Sequence, residues 1–279
     1  MKRVCGFTFA VLISLALGSG GAPCGWAQDK DDNLPDAPSP AARPGDSGTE
    51  SPVGREATWR SLPGDFLHDQ KDIWLFPTQL ARGRHWIPTL AVVGGTAGLI
   101  VADPHIMPYF RNHAGNLDDL NDTFDAYIST GIVAAVPVSL LTAGYIRHDQ
   151  YQVSTAILAG EAYADTAVVN LAVKAITRRQ RPTDVPPGGD FHNTFFNGGK
   201  SPFHGSSFPS GHATGAFSVA TVVALRYYRK HRWVPWAVYG MATAISLSRI
   251  TSSAHFPSDV FLGAALGYTT ARYQVLRPR

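Results

Sequence analysis

Cysteine is almost missing from this chain. Its 279 residues hold two, Cys5 and Cys24, both in an N-terminal leader, so a chain cut after Ala27 has no thiol, no disulfide and no cysteine metal site. An excess of charge of either sign is missing too. With Lys2 and Arg3 of the leader set aside from the 24 basic residues, 22 remain against 21 acidic ones, and that balance carries no electrostatic footprint of a nucleic-acid partner. No stretch of useful length alternates apolar and polar residues, which removes strands and leaves helices. His192 and His204 lack the compact spacing of a metal site. No metal and no cofactor is expected.

The leader has the parts of an export signal. Lys2 and Arg3 form a positive start, Val4 to Leu17 a mostly apolar stretch, and Gly25-Trp26-Ala27 a small-residue cleavage site before Gln28. Residues 1–27 therefore read as a signal peptide. The alternative is an uncleaved anchor, against which the apolar core is short for a span of about 20 residues. Lipidation at Cys24 is disfavoured by Pro23 and Gly21 before it. Residues 28–59 are rich in Asp, Pro, Ser and Gly and bury too little to offset their ordering entropy, so a disordered linker is expected. Residues 60–85 bring back Phe66, Trp74 and Phe76 among charges, the pattern of an amphipathic or surface segment.

Residues 86–279 form the main domain. Six apolar helices are expected there, over Trp86–Ala102, Tyr127–Ile146, Val153–Ile176, Ala213–Tyr228, Trp233–Leu247 and Val260–Tyr273. Long charge-free interiors rich in Ala, Gly, Val and Thr suit a membrane bundle. The fold class is all-α, a membrane-embedded bundle of about six core helices with its active site at one end. Glu161 and Asp165 interrupt the third helix at i and i+4, so they share a face that must look into the bundle or to water.

Phe208-Pro209-Ser210-Gly211-His212 is the stretch with the most chemistry. Pro209 fixes the backbone, Ser210 is a good N-cap, and an apolar helix begins at once, which aims free amides outward as an anion site. Gly211 lets an anion approach the main chain, and His212 titrates near neutrality. Upstream, Lys174 and Arg181 lie two helical turns apart and share a face if the helix runs through both, with Pro182 ending it. Downstream, Arg249 precedes His255, and Asp259 follows four residues later. A guanidinium, an imidazole and a carboxylate to hold its second nitrogen suit phosphoryl transfer through a histidine nucleophile. Any one of these features alone is ordinary capping or a solvated helix end; together they are hard to explain that way.

Lys174-x6-Arg181-Pro182, then Pro209-Ser210-Gly211-His212, then Ser248-Arg249-x5-His255-x3-Asp259 resembles the three-part signature of the type 2 phosphatidic acid phosphatase and vanadium haloperoxidase superfamily. The resemblance spans about Val153 to the C-terminus. It implies that His255 attacks phosphorus, Asp259 orients it, and His212 protonates the leaving oxygen. It implies too that Lys174, Arg181, Arg249, Ser210 and the Gly211 amide hold the phosphoryl oxygens. Phosphoryl transfer depends mainly on positioned positive charge, so no metal is needed where three cations surround the group. The expected function is a phosphatase acting on a phosphomonoester or pyrophosphate of a lipid.

The basic loop Arg229-Lys230-His231-Arg232 falls at the end opposite the motifs and marks the cytoplasmic side, which places the active site in the periplasm. Six full spans would then put Arg84 in the cytoplasm, against an exported N-terminus, and an uncleaved leader fails on the same parity. Either Trp86–Ala102 does not cross, or the domain is a periplasmic bundle. The inner-membrane reading is adopted. The rivals are a soluble periplasmic acid phosphatase, a vanadate-dependent haloperoxidase and a non-catalytic anion-binding envelope protein. In the loop Asp190–Ser207, Phe191, Phe195, Phe196 and Phe203 are candidates for an apolar wall against a lipid tail.

Overall fold

A computed structural model describes residues 54–198 and 206–278. The signal-peptide reading, most of the linker, and Lys200, Phe203 and His204 lie outside the described residues. Among those described, every regular element is helical. The order is α1 (Leu62–Trp74), α2 (Phe76–Ala81), α3 (Trp86–Asn112), α4 (Asp118–Thr123), α5 (Ala126–Arg147), α6 (Gln150–Thr177), α7 (Gly211–Tyr227), α8 (Val234–Thr251) and α9 (Pro257–Thr270).

The helix starts follow from their cap residues. Asp125 accepts from the Ile128 amide at 2.7 Å at the start of α5, and Asp149 accepts from the Gln152 amide at 3.1 Å at the start of α6. The α5–α6 turn is so tight that a Cβ on Gly144 would stand 2.9 Å from the Val153 backbone nitrogen, which only glycine avoids.

Helix α7 is the hub, packed by α5, α6, α8 and α9. Val219, Val222, Val223 and Ala224 of α7 meet Leu158 and Ala159 of α6, Leu140 of α5 and Ile245 of α8 in one buried cluster. Burial on nearly all sides explains why the α7 interior has no charge before Arg226. On α9 the small residues serve a close crossing: a Cβ on Gly267 would fall 2.3 Å from the Thr214 carbonyl oxygen of α7.

Helix α3 runs ten residues past the expected end at Ala102, through Pro104 and Pro108. Tertiary contacts override the two prolines. Asp103 is fully buried in an ion pair with Arg179, and Met107 is buried in a second cluster with Val185, Phe191 and Phe256. Three segments, Trp86–Asn112, Ala126–Arg147 and Gln150–Asp184, are long and apolar enough to cross a membrane by length and composition. The first is the one that the parity argument required not to cross. Its Ile87 is 84% exposed and its Val101 73%, an apolar face that no other described element covers. Helices α7, α8 and α9, of 17, 18 and 14 residues, are not among the three.

The C-terminal ends of α6 and α8 and the N-terminal ends of α7 and α9 meet at one end of the bundle. The Ser210 amide donates to the Asp259 carbonyl at 2.9 Å and the Ser207 amide to the Arg179 carbonyl at 2.7 Å. The loop from Arg229 to Arg232 joins α7 to α8 at the far end.

Candidate active site

Helix α8 stops at Thr251, and the next four residues turn back. The amides of Ala254 and His255 both donate to the Arg249 carbonyl, each at 3.0 Å, which ties the imidazole to the guanidinium six residues earlier. Pro257 then opens α9, and Asp259 in its first turn accepts from the Phe256 amide at 2.8 Å. The carboxylate that caps α9 is thereby held behind His255.

His255 Nδ1 lies 3.5 Å from Asp259 Oδ2, long for a hydrogen bond. Ser207 sits between them. Its hydroxyl donates to Asp259 Oδ2 and stands 3.3 Å from the same His255 nitrogen. Asp259 Oδ1 accepts from Arg179 at 2.7 Å, so every oxygen of the buried carboxylate is used. Burial pushes the His255 imidazole down to about 4; the Asp259 charge opposes this, and Lys174 and Arg181 add to it. The ring is therefore neutral and nucleophilic at neutral pH. Because the unfolded chain binds this proton at higher pH than the native one, the contribution of His255 to stability is complete above about 6.5 and is lost as pH falls through about 4. Turnover in buffers from pH 7 down to 3 is expected to persist at pH 5.5 as far as this group is concerned and to fall through about 4. A wild-type acid limb that falls at pH 6 to 7, unaltered by leaving group, would contradict a nucleophile of low basicity.

In front of His255 lies a cavity of about 400 Å³ lined by Lys174, Arg181, Gly211, His212, Arg249 and His255. The three cations reach it from different elements. Lys174 donates to the Ser206 carbonyl at 2.7 Å, and Arg249 donates to Ser248 Oγ and to the Phe124 carbonyl. The Arg181 Nε is buried with no hydrogen-bond partner among the described residues. Among the described residues none of the three forms an ion pair with a carboxylate. On the opposite wall His212 Nε2 lies 3.2 Å from the Ala126 carbonyl and 3.3 Å from Thr130 Oγ1. A carbonyl can only accept, so the neutral ring carries its proton on Nε2.

Lys174 and Arg181 do not share a helical face as expected. Helix α6 ends at Thr177, Arg178 takes a left-handed conformation with φ 40°, and Arg181 is extended at φ −76° and ψ 151°. The chain reverses, and both cations still reach the cavity. Ser210 is fully buried beneath it, where its Oγ faces the Ala213 amide at 3.5 Å as the cap of α7. Among the described residues the phenylalanine wall is not at the site. Phe191 packs edge-on against Phe256, Phe195 packs edge-on against Phe208, and Phe196 is 71% exposed. The apolar lining comes instead from Val133 of α5 and from Tyr163, Ala167 and Leu171 of α6.

Arg179 was missed by motif reading, although it is the centre of the support. Its guanidinium donates to Asp259 and Ser258 at 2.7 Å each, to Asp103 at 2.7 Å and to Thr194 at 3.0 Å, with the Phe256 ring 3.8 Å from its central carbon. Inside an Arg-Arg-Gln-Arg run one arginine cannot be told from another. Asp103 did carry a signal: an acidic residue in an apolar helix is rarely idle. Asn170 completes the support, donating to Thr214 Oγ1 at 3.0 Å beside Gly211.

The PAP2 superfamily model matches residues 152–277, which include every one of these motifs. Residues 152–277 belong to the PAP2 superfamily. The PAP2 region is 42% identical over 62 residues to a lipid A 1-phosphatase of Porphyromonas gingivalis, covering 22% of this chain and 14% of that one. It is 38% identical over 114 residues to a lipid A 1-phosphatase of Rhizobium etli, covering 38% and 45%. A third match, 40% identical over 68 residues, covers 24% of this chain and 32% of the bacitracin transport permease protein BcrC of Bacillus licheniformis. The chain thus spans less than half the length of each of these relatives. A transmembrane PAP2-type phosphatidylglycerolphosphate phosphatase from Bacillus subtilis superposes with a TM-score of 0.40 at 20% identity, over 73% of this chain and 92% of that one.

Proposed function

We propose that this chain is a membrane phosphatase that removes a phosphomonoester or pyrophosphate group from a lipid, without a metal ion and through a phosphohistidine. The observation that carries the reading is the cavity itself: three cations without carboxylate partners among the described residues, around a space of about 400 Å³ that also exposes two imidazoles. Such a cavity suits an anion, and a phosphoryl group with three equatorial oxygens matches its three cations. In the reaction, the His255 Nε2 lone pair forms the bond to phosphorus while the bond to the leaving oxygen breaks and His212, as the imidazolium in the presence of the phosphate dianion, gives that oxygen its Nδ1 proton. Water then attacks the phosphorus and loses a proton to His212, the P–N bond breaks, and orthophosphate leaves. Asp259, through Ser207 and directly, keeps the Nδ1 proton of His255 in place and stabilises the positive ring of the intermediate.

The lipid reading rests on the α5–α6 wall. Val133, Tyr163 and Leu171 line the same cavity as the cations, and on the same two helices Ile176 is 69% exposed and Tyr127 90%. The lipid A 1-phosphatase relatives point the same way. The basic loop at the far end of the bundle supports a periplasm-facing site.

Sealed right-side-out vesicles test substrate class, side and chemistry together. Externally added phospholipid or lipid A phosphate is expected to release orthophosphate in EDTA without permeabilisation, faster than a matched water-soluble ester. Acid-labile phosphate is expected on the protein after a rapid quench under non-acidic conditions. No release from any substrate, or an activity abolished by EDTA and restored by a divalent ion at a temperature where circular dichroism shows the EDTA-treated protein still folded, would end the reading.

A further inference from the structure

About halfway along α6, a second group of polar side chains is buried in the bundle. Asp69 of α1 and Glu161 and Asp165 of α6 each present a carboxylate oxygen, all within 4.8 Å of one another, and the three residues are 1%, 2% and 0% exposed. Part of this charge is answered. Arg55 donates to Glu161 Oε1 at 2.5 Å and to Asp65 at 2.5 Å, and lies 3.7 Å from Asp69. Gln70 Nε2 donates to Asp165 Oδ1 at 2.8 Å. The second oxygens of the two α6 carboxylates are not answered among the described residues: Glu161 Oε2 and Asp165 Oδ2 are buried with no hydrogen-bond partner there. Among the described residues Asp165 forms no ion pair, and its side-chain donor is a neutral amide.

We propose that these three carboxylates bind a divalent cation of the calcium class, which pins α1 to α6. Buried carboxylates require either a cation or a proton. The spacing suits the cation. Oxygens bound about 2.4 Å from a calcium ion stand at most about 4.8 Å apart, and the three oxygens here lie within that limit. All donors are oxygens, the choice of a hard cation, and a calcium shell takes further waters. A cavity of about 390 Å³ lined by His68, Asp69, Asp72, Gln274 and Arg277 reaches the cluster at Asp69 and supplies both the water and the path. The ion has no part in the phosphoryl chemistry. Glu161 lies 13 residues before Lys174 on a continuous helix, about 20 Å away. What it joins is informative: α1 precedes the PAP2 region, whereas α6 opens it.

The test uses the full chain in a non-phosphate detergent buffer and needs no substrate, so failure of the phosphatase reading leaves it intact. Trp74 Nε1 donates to Gln70 Oε1 at 3.1 Å, and Gln70 holds Asp165, so this indole stands close enough to sensitise terbium. Excitation of tryptophan is expected to give terbium emission that calcium displaces. Millimolar calcium is expected to raise Tm by several degrees over EDTA by mass action. The double variant Glu161→Gln, Asp165→Asn is expected to lose the emission and the calcium shift; should it not fold, Asp165→Asn alone is expected to weaken calcium binding at least tenfold. Absence of calcium-displaceable emission from the wild type overturns the proposal. So does emission that survives in the variant, or a variant as stable as calcium-loaded wild type, which would mean that the carboxyls are held by protons.

Discussion

Replacing His255 with Ala is expected to lower kcat by about 10⁴-fold or more while far-UV circular dichroism and Tm stay near those of the wild type. The ring is 3% exposed and faces the phosphate cavity, and its backbone amide, which ties the turn to Arg249, is unaffected by the change. A nucleophile cannot be bypassed by a better leaving group, so the loss is expected with alkyl and nitrophenyl esters alike, and no protein-bound phosphate is expected after quenching. His212→Ala is the control that separates the roles. General acid catalysis supplies about 10²- to 10⁴-fold, so its loss is expected to be large for an alkoxide leaving group and much smaller for nitrophenolate, which departs without a proton. Bound phosphate still forms in that variant. His255→Ala with turnover within tenfold of the wild type would remove the phosphohistidine mechanism, whatever the fate of His212.

Arg179→Met is expected to be the costliest single change behind the cavity. It leaves Asp103 and Asp259, both fully buried and each 2.7 Å from the guanidinium, without their cation. Breaking a buried pair from one side costs about 3 to 5 kcal/mol, a large share of the stability of an ordinary domain. A drop in Tm of many degrees is therefore expected, and a lower yield of folded protein. Adding Asp103→Asn removes one of the two stranded charges, so the double variant is expected to regain part of the lost Tm. Activity is expected to stay low in that double variant, down about 100-fold in kcat with little change in KM. Asp259 has then lost the donor that fixes it behind His255, whereas the cations that bind substrate are untouched. A merely structural Arg179 would give the opposite result: stability and kcat recovering together. Arg179→Met with wild-type Tm and kcat would show that Ser207 and the Phe256 amide hold Asp259 by themselves.

The residues that enter the cavity were legible because each belongs to a short local pattern. Ser210-Gly211 is a helix start, His255 and Asp259 bracket another behind Pro257, and basic residues end α6 and α8. The helices were legible for a similar reason, since charge-free apolar runs bounded by Asp125, Asp149, Pro235 and Pro257 admit little else. The end of α3 was not. The apolar run ends at Ala102, and it is the long-range pair Asp103–Arg179 and the burial of Met107 that carry the helix through two prolines to Asn112. The phenylalanines of the loop after Arg181 were read from composition alone. Composition does not say which way a ring turns, and Phe191 and Phe195 turn into the fold around Phe256 and Arg179.

Helical class, the chemical nature of the site and its membership in the PAP2 superfamily follow from residue order, because caps, turns and motif spacings are local and survive whatever the rest of the chain does. Contact between distant segments is another matter. That Arg179 rather than its neighbours joins Asp103 to Asp259, that Ser207 stands between Asp259 and His255, and that Asp69 meets Glu161 and Asp165 depend on which faces the helices turn toward one another. Those faces are chosen by packing around α7, where close crossings at Gly263 and Gly267 leave room for one arrangement.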